Sequence, residues 1–377
     1  MRRLGCRGLA LALVFAVANV GRQPAGGEDG VTRVRLLPPG PGNPRNSEGD
    51  FVQLRDGRIL FVYSHFAGGA GDDDGAYLAG RYSSDGGQTW TEEDVVLVPN
   101  EGQCNVMSAS LLRLHSGEIA LFYLRKNSTA DCRPYMRIST DEARTWGEAR
   151  LCIDEAGYYV LNNHRAVQLS SGRLLLPVAR HHAPGQEQWS PYGVIMCYLS
   201  DDDGGTWRRS RSELTATSPE GRPVMLQEPG VVELKDGRLM MFCRTDAGCQ
   251  YVCHSADGGE TWTAPQPSDI ISPLSPASIE RIPSTGDLLL VWNDHAHIDV
   301  ERRGKRTPLA VAISRDEGAT WERAKTLEDD PNGWYCYTAI EFVGDHVLLG
   351  HCAGDRRQNN GLAETQITRF SLDWLYR

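Results

Sequence analysis

The chain has 377 residues, and 39 Lys+Arg against 49 Asp+Glu give a formal net charge of −10. That balance excludes the clustered positive excess with which nucleic-acid binders neutralise phosphates, so no nucleic-acid partner is expected. Forty Gly and twenty Pro in a chain that is 40% hydrophobic and 23% charged point to many short elements around a large core, and exclude long helices and disorder.

At the N-terminus, Arg2, Arg3 and Arg7 precede an apolar run over residues 9–20, and Ala16-Val17-Ala18 offers a small-residue cleavage site. Residues 1–25 are therefore expected to be a secretory signal peptide. The run is shorter than the ~20 residues of a membrane span. The mature chain is thus expected to carry no transmembrane span and to be secreted or periplasmic. Nine cysteines follow Cys6, and an odd number leaves at least one without a partner in the chain. Cys249 and Cys253 have the separation of a zinc half-site, but no second pair follows at finger spacing. No metal and no other cofactor is expected.

One octapeptide recurs five times: SSDGGQTW from Ser83, STDEARTW from Ser139, SDDDGGTW from Ser200, SADGGETW from Ser255 and SRDEGATW from Ser314. The serines are 56, 61, 55 and 59 residues apart, and the one breach of the S-x-D-x-G-x-T-W template is Ala143. Between the octapeptides, turns such as Asp56-Gly57-Arg58, Ser171-Gly172-Arg173 and Asp236-Gly237-Arg238 separate apolar runs, of which Ile59-Leu60-Phe61-Val62-Tyr63 is typical. Gly supplies the positive φ of a two-residue hairpin loop, and the runs read as buried strands. Each unit of roughly 58 residues then holds about four strands. Six such units predict an all-β chain, a six-bladed β-propeller over residues 31–377. The sixth unit lacks an octapeptide, so its missing strand is expected from Val31–Leu37, which would close the ring and cover its edges. The octapeptide itself reads as structure: its Asp accepts N–H bonds within a turn and its Trp packs into a neighbouring layer.

Octapeptides of this form are Asp-boxes, and a six-unit chain carrying five of them resembles the sialidase (neuraminidase) superfamily. The resemblance implies a glycoside hydrolase that removes terminal sialic acid from glycoconjugates, with sialylated or other acidic glycans as partners. Sialidases use a Tyr nucleophile, since a carboxylate nucleophile would be repelled by the carboxylate on the anomeric carbon. A Glu activates the Tyr, an Asp serves as acid and base, and arginines hold the substrate carboxylate.

Carried over residue by residue, the resemblance implies Glu228, in Gln227-Glu228-Pro229, as the base and Arg244 as an arginine at the end of the next strand. Arg306 precedes the fifth box at the family's distance, with Arg302 and Arg303 close by. Tyr337, or else Tyr335, matches the nucleophile in Tyr335-Cys336-Tyr337-Thr338. Asp74, or else Asp73, in Asp72-Asp73-Asp74, matches the acid/base. The chain departs from the family in the first unit. There the register of an expected arginine holds Ser47-Glu48-Gly49, followed by Asp50, and Arg45 is displaced from it. Arg165, in Asn162-Asn163-His164-Arg165, is the expected substitute. That departure leaves two other readings open, a propeller glycosidase acting on a different sugar and a non-catalytic glycan-binding propeller.

Overall fold

A computed structural model describes residues 30–377, so the expected signal peptide at 1–25 lies outside the described residues. The chain folds as successive antiparallel meanders. The first contains Arg45–Gln53, Ile59–Phe66, Ala76–Ser83 and Val95–Val98. The next two, running from Asn105–Arg113 to Arg150–Leu151 and from Tyr158–Val160 to Arg208–Arg209, share one nine-stranded sheet, joined where Tyr158 runs parallel to Cys132. Gln227–Glu233 opens the fourth meander and Ser278–Arg281 the fifth. The last sheet holds Gly333–Val343, His346–Asp355 and Thr365–Ser371, and its outer strand is Val31–Leu37, with Val31 opposite Phe370. The fold is all-β apart from short C-terminal turns such as the helix Leu372–Tyr376, capped by Ser371. Among the described residues no helix is long and apolar enough to cross a membrane.

The strands form where the sequence is apolar on both faces, because each meander is sandwiched between two others. Leu60 and Val62 share a core with Leu121 and Tyr123, and Phe122 shares one with Leu176. Leu175 packs with Met241, Phe242 with Leu290, and Val291 with Leu349. A further cluster brings Leu348 and Ile367 of the last sheet onto Ile59 and Phe61 of the first.

The octapeptides stitch the hairpin ends to these cores. In the first, Asp85 accepts from the Thr89 N–H at 2.9 Å and from its hydroxyl at 2.6 Å, while Ser83 Oγ accepts from the Gly87 N–H at 2.9 Å. The same contacts recur around Asp141, Asp202, Asp257 and Asp316. The fifth residue is left-handed every time, including Ala143 at φ 59°, so the box tolerates one side chain where the template has Gly. The tryptophans reach the adjoining meander, as Trp207 does in meeting Phe122 edge-on at 6.1 Å.

A second repeated device positions the site. Register breaks interrupt the first strands of the first, second, fourth and last meanders. At each break stands a non-glycine residue with positive φ: Glu48 at 56°, Ser108 at 59°, Glu228 at 47° and Tyr337 at 56°. A bulge of this kind bends the strand and re-aims one side chain, at a cost of about 1–3 kcal/mol for the strained conformation.

Candidate active site

All four bulge residues turn into the same space. Glu48, Ser108, Glu228 and Tyr337, with Asp72, Arg244, Arg306 and Trp334, line a cavity of about 510 Å³. Trp189, 41% exposed and stacked on His181 at 4.8 Å, also belongs to this wall.

At the centre, the Tyr337 hydroxyl donates to Glu228 Oε1 at 3.2 Å, and Arg244 Nη1 donates to the same oxygen at 2.7 Å. Burial pushes the Glu228 carboxyl up, but Arg244, Arg306 and Arg165 outweigh it and hold it below the ordinary range. The opposite holds for Tyr337: burial and the Glu228 anion push its phenol well above the ordinary range. The resting pair is therefore a neutral phenol bonded to an ionised carboxylate, the arrangement in which a base accepts a proton as its partner attacks. Gly230, beside Glu228, allows this bulge to close over the next strand, since a Cβ there would lie 2.3 Å from the Phe242 ring.

Arg306 lies 5.2 Å from the Tyr337 ring centroid and 5.3 Å from that of Trp334. Its Nη1 donates to Cys336 Sγ at 3.0 Å. Arg302 instead pairs with Asp299 outside the cavity. Tyr335 precedes the register break that turns Tyr337 into the cavity, and it meets His351 edge-on at 6.2 Å and joins the core under the last sheet.

The acidic loop of the first meander is arranged differently from the sequence expectation. Asp74 caps its own loop, accepting from the Gly71 N–H at 2.8 Å, and Asp73 pairs with Lys126 at 2.6 Å. The carboxylate on the cavity wall is Asp72, which accepts from Arg45 Nη1 at 2.6 Å. Burial pushes Asp72 up, and the cations Arg45 and Lys126 bring it below the ordinary carboxylate range.

The two arginines considered for the missing position lie elsewhere. Arg45 is buried behind the wall, 4.3 Å over the Phe66 ring, and clamps Asp72 and, at 3.3 Å, both oxygens of Glu48. Arg165 donates to the Ala277 carbonyl at 2.6 Å and lines a different cavity, together with Asp50, His164 and Glu280. The cavity around Tyr337 thus has two guanidinium groups, and Glu48 faces it where a third was sought. Burial pushes the Glu48 carboxyl up to about 7, with Arg45 opposing and Asp72 and Glu228 adding to the rise.

Sequence reasoning missed Asp72, Ser108 and the inward turn of Glu48. Neighbouring aspartates differ only in how the loop folds, and the bulges carry no glycine to announce their positive φ. The spacing of Glu48 from the first hairpin was the available signal.

A family model described as a BNR repeat-like domain matches residues 61–348. A sialidase of Micromonospora viridifaciens is 26% identical over 345 residues, covering 82% of this chain and 50% of that protein, so the chain spans half the length of this curated relative. Among solved structures, one from Dyadobacter fermentans described as of unknown function aligns with a TM-score of 0.70 at 19% identity, covering 91% of this chain and 99% of that one. Trypanosoma rangeli sialidase, solved as a covalent intermediate with 2,3-difluorosialic acid, aligns with a TM-score of 0.69 at 17% identity, covering 92% of this chain and 60% of that one. These structures share the fold, and the matched span covers most of the chain: it belongs to the BNR repeat-like family of the sialidase superfamily.

Proposed function

We propose that this protein is a secreted exo-α-sialidase-like glycoside hydrolase that removes terminal sialic acid from glycoconjugates. The observation that carries this reading is the Tyr337–Glu228–Arg244 contact, with Arg306 on the same wall. Tyr337 Oη attacks the anomeric carbon while Glu228 takes the phenolic proton, and the bond to the leaving oxygen breaks. Asp72, rather than Asp74, is the carboxyl on this wall; since Arg45 and Lys126 favour its ionised form, it protonates that oxygen from the protonated form it reaches at acid pH. It then takes a proton from the water that releases the sugar and restores the phenol. Arg244 and Arg306 hold the substrate carboxylate, where planar bidentate pairing suits guanidinium. Arg165, outside this cavity, takes no part in that binding.

Six meanders, with shared cores that include last against first, support a six-bladed propeller closed by Val31–Leu37. A signal peptide at residues 1–25 would place the mature chain outside the cytoplasm, where sialylated glycans are its substrates.

Glu48 favours one other reading, in which the same machinery turns over a glycone with no carboxylate on its anomeric carbon. An ionised Glu48 would repel that carboxylate and accept a hydroxyl instead. Release of a fluorogenic aglycone from an α-sialoside by wild type, Tyr337→Phe and Arg244→Ala separates the readings. Turnover by wild type and its loss in both variants supports the sialidase. Absence of turnover on the sialoside, with turnover of neutral glycosides, selects the second reading.

A further inference from the structure

We propose that Cys336 and Cys352 are a redox pair whose oxidation to a disulfide frees Arg306 for its ligand. The two residues stand directly opposite each other in the antiparallel pairing of Gly333–Val343 with His346–Asp355. Directly opposed residues in such a pair have Cα atoms about 4.5–5.5 Å apart, within the range a disulfide spans. Both are buried, in one cluster with Tyr337 and Trp334. Among the described residues no other two cysteines are cross-strand partners: Cys243 faces Tyr251, Cys253 faces Met241, Cys197 faces Pro177 and Cys132 faces Lys126.

The pair matters because of its neighbours. Cys336 immediately precedes Tyr337, and Arg306 Nη1 donates to Cys336 Sγ at 3.0 Å. Burial opposes ionisation of Cys336, but the Cys352 thiol and the Arg306 cation outweigh it and hold its thiol below the ordinary range. In the reduced protein Arg306 is therefore already engaged by this sulfur and favours its thiolate, with which a substrate carboxylate competes. The disulfide is neutral. With a small disulfide such as oxidised glutathione as oxidant, the Cys336 thiolate attacks one sulfur and expels one glutathione thiolate. Cys352, losing its proton, then displaces the second glutathione. Two cysteine sulfurs are oxidised and one small disulfide is reduced; one expelled thiolate takes the Cys352 proton and the other takes a proton from solvent. Arg306 then has an open charge-assisted contact to offer.

The disulfide stands on the strand register alone, while its effect on binding rests on Arg306 as a carboxylate-binding residue. The test equilibrates the full chain in oxidised or in reduced glutathione, alkylates it and maps the cysteine peptides, while KM and kcat for the α-sialoside are measured in each state. The expected result is a Cys336–Cys352 linked peptide in the oxidised sample. KM there should be about tenfold lower, the worth of one hydrogen bond to a charged group, with kcat within about twofold. Cys352→Ser should hold KM at the reduced value in both buffers. Free, alkylated Cys336 and Cys352 in the oxidised sample would overturn the pairing, and a linked pair with unchanged KM would overturn the release of Arg306. Absence of turnover in either state counts against the hydrolase, and the peptide map still decides the disulfide. In that case the buffer dependence of affinity for a sialic acid analogue decides the release.

Discussion

Replacing Glu48 by Gln removes a buried carboxyl that sits at about 7 against an ordinary value of 4.5. Burial is the largest cause of the rise, Arg45 works against it, and Asp72 and Glu228 add to it. The folded chain holds this proton to higher pH than the unfolded chain does. The stability it contributes is therefore fully present below about pH 4.5 and is lost as pH rises through about 7. Integrated from pH 5 to pH 8, the loss amounts to about 2–3 kcal/mol. Glu341, which burial also pushes up to about 7, titrates in the same sense but is common to both proteins and cancels in their difference. Urea unfolding of wild type and Glu48→Gln at unit steps over this range gives that difference directly. The variant should gain about 2–3 kcal/mol on the wild type between pH 5 and pH 8. Parallel stability curves would refute the claim that Glu48 is held neutral by burial. The same ionisation predicts that KM for an α-sialoside rises through pH 7 in the wild type and stays flat in the variant.

Three further outcomes follow from the site geometry. Asp72→Asn should lower kcat by about 10²-fold or more, whereas Asp74→Asn should change it by about twofold or less; equal losses in a fluorogenic assay would contradict the assignment of the acid. Glu228→Gln should lower kcat by about 10²–10⁴-fold while the protein still unfolds cooperatively, because the phenol loses its proton acceptor. Gly230→Ala should destabilise by about 1–3 kcal/mol in urea, since the new Cβ meets the rigid Phe242 ring rather than a flexible side-chain end. An unchanged midpoint would show that this bulge has room to spare.

The repeat was legible because each Asp-box is local: its Ser, Asp, Gly and Thr bond to one another within eight residues, so spacing alone marks the hairpin ends. Glu228, Arg244, Arg306 and Tyr337 were legible for a related reason. Each lies at a set distance along the chain from the nearest hairpin or box, and the structure brings all four onto one cavity wall. Asp72 was not legible against Asp74. Which carboxylate faces inward depends on Arg45 and Lys126 drawing the loop together from two other strands. The bulges were hidden because Glu48, Ser108, Glu228 and Tyr337 hold a conformation normally left to Gly, against their local preference. Arg165 was a plausible substitute by sequence distance, but its guanidinium is drawn to the Ala277 carbonyl.

The central claim is that Tyr337 is the nucleophile. The most direct measurement is to incubate the protein with 2,3-difluorosialic acid and read intact mass, followed by peptide mapping. The account predicts one added glycosyl group on Tyr337, absent in Tyr337→Phe and slow to form in Glu228→Gln. A glycosyl group on any other residue, or full sialoside turnover by Tyr337→Phe, would contradict it.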